Sequence, residues 1–130
     1  MQWHCDMKVK KDYYSDGQLK AEYVFKKGEL IFLLGYHQNG RLWEQVSFKG
    51  GRQNGLSRIF DQDGNPREEW SYKNGRLNGI SRRYYDNGLL REEREYRDDC
   101  EIWRKEYDRQ GCSRSESIFE EATEIKLYYH

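Results

Sequence analysis

Apolar and polar positions along the chain recur every 23 or 24 residues. The phase is set by the turn dipeptides Asp16-Gly17, Asn39-Gly40, Asp63-Gly64, Asn87-Gly88 and Gln110-Gly111. A second turn signal follows the first four glycines by eleven residues, at Gly28, Gly51, Gly75 and Asp99. Asp-Gly and Asn-Gly mark tight hairpins because these residues tolerate the positive φ that such turns demand. The segments left between turns are about eight residues long, which is strand length. Four residues before each first-turn glycine stand Tyr13, Tyr36, Phe60, Tyr84 and Tyr107; eight before it stand Val9, Phe32, Leu56, Ile80 and Trp103. Two residues after it come Leu19, Leu42, Pro66, Leu90 and Ser113; eight after it come Phe25, Phe48, Tyr72, Tyr96 and Phe119. All these offsets are even, so regular strands would place the four columns on one face, the core. The pattern predicts a domain of about five β-hairpin repeats.

The polar columns predict how strands pair. If the aromatic at minus four faces the residue at plus two, then Arg58 meets Glu68 and Arg82 meets Glu92, as cross-strand ion pairs. The column Glu22, Gln45, Glu69, Glu93 and Glu116 then points to the other face, unless a bulge intervenes.

Composition sharpens this picture. Leu, Ile, Val and Phe supply only 24 of 130 residues, but eleven Tyr and four Trp add large surfaces to bury. The 23 basic and 23 acidic residues cancel. With no long-range field, attraction of nucleic acid or of an anionic membrane is disfavoured. No apolar stretch is long enough to cross a bilayer as a helix, and the N-terminal residues lack the apolar run of a signal peptide. Cys5, Cys100 and Cys112 do not form a disulfide-type spacing, so the cytoplasm is the expected compartment.

The stretches YYSDGQLKAEYVFKKG, YHQNGRLWEQVSFKGGRQNG, FDQDGNPREEWSYKNGRLNG and YYDNGLLREEREYRDD resemble the MORN repeat in its bacterial second variant. The third carries the closing Lys73-Asn74-Gly75-Arg76-Leu77-Asn78-Gly79; copies one and four have Leu30-Ile31-Phe32 and Glu101-Ile102-Trp103 there instead. The resemblance implies an all-β fold, an elongated, twisted, open antiparallel meander of stacked hairpins. One domain spans 1–130, with repeats at about 9–28, 29–51, 52–75, 76–99 and 100–119. Ile125, Leu127 and Tyr129 alternate in the strand manner and predict a capping strand over about 124–130. The resemblance also points to YwqK-like, antitoxin-type proteins.

Catalytic chemistry finds no support in the sequence. It has no phosphate loop, nucleophile elbow or Zn-type Cys pair, and no cofactor or metal is expected. His4, Cys5, Cys100 and Cys112 could meet only if the ends of the array came together. Glu68-Glu69 and Glu92-Glu93 point to opposite faces of a strand, so neither pair can act as general acid and base. The expectation is a non-catalytic protein-binding module, antitoxin- or inhibitor-like, that recognises a toxin or target enzyme by a sheet face or an edge strand. Aromatics read as exposed supply the candidate anchors: Tyr14, His37, Trp43 and Tyr85, with Tyr128 and Tyr129 at the end of the chain. Homodimerisation through the C-terminal edge strand is a further expectation, since Lys8, Lys10 and Lys11 guard the N-terminal edge. The alternatives are single-stranded nucleic-acid binding by Arg82-Arg83-Tyr84-Tyr85 and Arg104-Lys105, or a lipid or membrane-proximal scaffold.

Overall fold

A computed structural model describes residues 6–119. The predicted capping strand, Tyr128, Tyr129, His4, Cys5 and His130 lie outside the described residues.

The strands are β1 (Met7–Tyr13), β2 (Leu19–Lys26), β3 (Glu29–Tyr36), β4 (Leu42–Lys49), β5 (Arg52–Gln53), β6 (Gly55–Phe60), β7 (Pro66–Lys73), β8 (Arg76–Leu77), β9 (Gly79–Tyr84), β10 (Leu90–Arg97), β11 (Cys100–Tyr107) and β12 (Ser113–Ile118). They form one open antiparallel sheet in the order β1-β2-β3-β4-β6-β7-β9-β10-β11-β12, with β5 on β4 and β8 on β7. The all-β hairpin meander is therefore the observed fold.

Each first turn closes in the same way. The residue three before the glycine receives the glycine N–H and donates its own N–H to the carbonyl one residue past the glycine, as in Gly17→Tyr14 at 3.0 Å and Tyr14→Gln18 at 2.8 Å. The second turns hold two successive residues at positive φ, Asn74 (51°) and Gly75 (83°) for example. That is the two-residue hairpin turn whose twist suits the flanking strands. In the fourth repeat Asp99 adopts this conformation (φ 69°) without the freedom of glycine, and its carboxylate accepts the Leu77 N–H at 2.7 Å. The Asn-Gly closures at Asn54-Gly55 and Asn78-Gly79 split a strand in two, whereas β3 and β11, which lack them, run unbroken for eight residues.

The pairing corrects two expectations. Tyr84 does face Leu90, but Arg83 faces Glu92, so Arg91 is an extra residue on β10. The same one-residue bulge falls at Lys20, Trp43, Arg67 and Arg114. A single inserted residue reverses the face of everything beyond it. Arg58 therefore pairs with Glu69, not Glu68, and Arg82 with Glu93, not Glu92.

The four apolar columns likewise do not share a face. One face carries the aromatics at minus four with the basic residues at minus six and the acidic residues at plus five. The other carries the aromatics at plus eight, including Tyr96, whose ring lies 6.4 Å from that of Trp70. The buried residues Ala21, Ser57, Ser81, Glu92 and Tyr96 all belong to this second face. Among the described residues no large side chain is fully buried, as befits a single-layered sheet. The columns at minus four and minus eight are half-buried to exposed, with Tyr13 59% exposed on the edge strand β1.

Candidate functional site

The bulges create a recurring couple along the first-turn edge of the sheet. In each of the first four repeats the side chain three residues after the glycine lies against the one three residues before it. Lys20 Nζ sits 5.7 Å above the Tyr14 ring, Arg91 sits 5.7 Å above Tyr85, and Arg67 is 3.9 Å from the Asp61 carboxylate. The Asp61 carboxyl is held below its ordinary range, chiefly by the Asn65 backbone N–H, with Asp63 N–H and Arg67 adding to it. Across the five repeats the bulge residue is Lys20, Trp43, Arg67, Arg91 and Arg114. Only the second repeat replaces the cation with an aromatic ring. There Trp43 meets His37 with ring centroids 6.0 Å apart and planes inclined at 42°.

A hollow of about 410 Å³ opens at this couple, lined by Tyr14, His37, Gln38, Asn39, Trp43 and Gln62. Three of the residues singled out from the sequence thus come together: Tyr14, His37 and Trp43. Trp43 is 43% exposed, as expected. Tyr14, His37 and Tyr85 are not the exposed anchors that the sequence suggested; each is half-buried. Each side chain reaches across to the backbone of the next repeat. Tyr14 donates to the Tyr36 carbonyl at 2.6 Å and Tyr85 to the Tyr107 carbonyl at 2.8 Å. His37 Nε2 lies 3.1 Å from the Phe60 carbonyl, which can only accept, so this nitrogen carries the proton. These three residues act as latches between repeats. Tyr85 is also covered by two guanidinium groups, Arg91 and Arg109, the latter 5.1 Å from the ring centroid. It stands apart from Trp43, beside a smaller hollow of about 160 Å³ that includes Arg91, Glu92 and Glu106.

The asparagine and arginine side chains beside Gly40, in the first turn of the second repeat, tie the rim in place. Asn39 Nδ2 donates to the Gln62 carbonyl at 2.8 Å and Arg41 donates to the Asp63 carbonyl at 2.6 Å. Sequence reasoning found Trp43 because it stood at an odd offset from Gly40. It missed the coupling to His37, which depends on the bulge.

The second repeat also departs from the others on the tyrosine face. Elsewhere a basic residue, an acidic residue and the next repeat's tyrosine form a triad: Arg58, Glu69 and Tyr84, or Arg82, Glu93 and Tyr107. Here the corresponding residues are Leu34, Gln45 and Phe60. The result is an apolar depression of about 410 Å³ lined by Phe32, Leu34, Tyr36, Leu42 and Gln45.

Among the described residues, no group of three or more His, Cys, Asp or Glu side chains is arranged to hold a metal ion. No helix of the described residues is long and apolar enough to cross a membrane.

Residues 9–27, 53–74 and 77–98 match the MORN repeat variant. Those three segments are similar to that repeat. The stretch between the first two MORN matches holds His37 and Trp43, so the aromatic couple lies in a copy outside the matched segments. No curated protein matches the chain. Among solved structures, a crystal structure of a GtfA/B complex bound to UDP and GlcNAc is similar at 14% identity, with a TM-score of 0.33. The match covers 95% of this chain and 26% of that one, so this chain spans about a quarter of its length.

Proposed function

We propose that this chain is a non-catalytic, cytoplasmic protein-binding module whose contact centre is Trp43, and that it acts in an antitoxin- or inhibitor-like way by occluding a toxin or target enzyme. The observation that carries this reading is the exchange of a cation for Trp43 at one bulge only. Bulges re-aim side chains beside functional sites, and a tryptophan held in a hollow is the residue type that dominates protein contacts. The remaining surface supports a protein over a phosphate-bearing partner. Arg82, Arg83 and Arg104 each lie within 4.0 Å of a carboxylate (Glu93, Glu68 and Glu101), and those carboxylates would repel phosphate.

The test compares capture from a lysate of the source organism by the native chain and by Trp43→Ala. The reading expects a protein that the native chain retains and the variant loses, at unchanged melting temperature. Equal capture by both proteins would move the contact away from Trp43.

A further inference from the structure

We propose that the hollow at Trp43 seats a proline-rich segment in the polyproline II conformation, lying across the strands along the first-turn edge. This rests on Trp43 being the contact centre of a protein-binding module. The lining holds no Asp, Glu, Lys or Arg, although these make up 35% of the chain. Its occupant is therefore an uncharged stretch. The inclined rings of Trp43 and His37 offer aromatic faces to the C–H groups of a pyrrolidine ring, and aromatic-lined grooves are how proline-rich segments are held elsewhere. A polyproline II segment makes no internal hydrogen bonds, so its carbonyls point outward in need of donors. The amides of Gln38 and Gln62, both exposed at the hollow, can supply them.

Spacing gives the direction. Each repeat adds two strands, which advances the edge by about 9.5 Å, twice the 4.7–4.9 Å between strands. One turn of polyproline II is three residues and about 9.3 Å. A segment crossing the strands therefore places every third residue at the equivalent station of the next repeat. With one proline seated on the exposed faces of Trp43 and His37, the residue three places away lies over the Tyr14–Lys20 couple, whose ring also borders the hollow. That is a Pro-x-x-Pro requirement set by the repeat itself. No segment of these 130 residues can be the occupant, because their one proline, Pro66, opens β7.

The test uses the full chain and three fluorescently labelled peptides: decaproline, a peptide with proline at every third position and Ser and Ala spacers, and one of the same length and spacers with proline at every second position. Binding is followed by fluorescence polarisation, with unlabelled cellobiose as a neutral polyhydroxylated competitor. Decaproline and the three-residue repeat should bind, the two-residue repeat at least tenfold more weakly. Trp43→Ala should weaken decaproline at least tenfold, and His37→Ala severalfold, without change in melting temperature for Trp43→Ala. No decaproline binding, equal binding to Trp43→Ala, or displacement by cellobiose would each overturn the proposal. If protein capture still depends on Trp43 while decaproline fails, the module reading stands and the polyproline II occupant falls. If decaproline needs Trp43 but capture does not, the reverse holds.

Discussion

Tyr84 donates its hydroxyl to Glu69 Oε1 at 2.7 Å, and so ties the fourth repeat to a strand of the third. Tyr36 makes the same bond to Glu22, and Tyr107 donates to Glu93 at 3.3 Å. Each acceptor also faces a basic residue of its own repeat, Lys11, Arg58 or Arg82. A single-layered sheet lacks a deep core, so these half-buried triads serve as part of the cement between hairpins. Tyr84→Phe removes one bond while Glu69 keeps Arg58. The expected cost is about 1 kcal/mol, as for a typical hydrogen bond, read as a lower midpoint in urea. Phe60→Tyr has no carboxylate to meet, because Gln45 occupies that station, and should leave the midpoint nearly unchanged.

Alkaline pH should act on the same bonds. The phenols of Tyr36 and Tyr84 are both pushed up to about 12, first by burial, then by their hydrogen bonds to Glu22 and Glu69 and the repulsion of those carboxylates. An unfolded tyrosine releases its proton near 10, so between 10 and 12 the folded chain holds protons that the unfolded chain has lost. The stability these groups contribute is complete below pH 10 and declines as pH rises towards 12. The Tyr36→Phe, Tyr84→Phe double variant should show a flatter loss of stability over that window. Tyrosinate absorbance should show a late-titrating fraction in the native chain that is smaller in the variant, where Tyr72, raised by burial, still contributes.

Burial now ranks the aromatic columns differently from their regularity. Tyr96 is 9% exposed and packs beside Trp70; Tyr13 is 59% exposed. Tyr96→Ala should cost about 3 kcal/mol or more, the range for truncating a buried aromatic. Tyr13→Ala, at the sheet edge, should stay within about 1 kcal/mol. A thermal melt of each variant checks the order, and equal losses would mean that the two faces are equally buried.

That ranking also shows how far the residues could be read. The turns were legible because Asp-Gly and Asn-Gly demand a particular backbone, and the recurring aromatics located every long strand. The facing of Tyr84 and Leu90 was legible too, since the turn sets it. What lay beyond the turn was not, because Arg91 or Trp43 in the bulge looks like any other strand residue while it reverses all later parity. A trace existed in the plus-five column, acidic in every repeat but the second, which made sense only opposite a minus-six column that is basic in the same repeats. The hollow at Trp43 depends on that same bulge, so Trp43 and His37 could each be found in the sequence, but their meeting could not.

The second face carries a chain of charges across four strands, and its centre sets the last prediction. Arg83 lies 3.5 Å from Glu68 and 3.7 Å from Glu92; Arg94 lies 3.0 Å from Glu92 and 3.8 Å from Glu101; Arg104 lies 2.8 Å from Glu101. Glu92 is only 6% exposed, and its Oε1 and Arg94 Nε approach each other without hydrogen-bond geometry. Burial opposes the Arg94 charge, yet its hydrogen bonds to Tyr96 and Glu92 hold its pKa above the ordinary value. The Glu101 carboxyl is lowered, first by its hydrogen bond from Arg104. Removing Glu92 alone leaves Arg83 and Arg94 sharing one anion fewer in a poorly solvated place, so Glu92→Ala should cost about 3 kcal/mol. Replacing both partners, Glu92→Met with Arg94→Met, should recover most of that loss, because an apolar pair of similar volume carries no desolvation penalty. A double-mutant cycle by urea denaturation measures the coupling directly. Additive losses would show that the two side chains act independently and that solvent, not Arg94, balances the Glu92 charge.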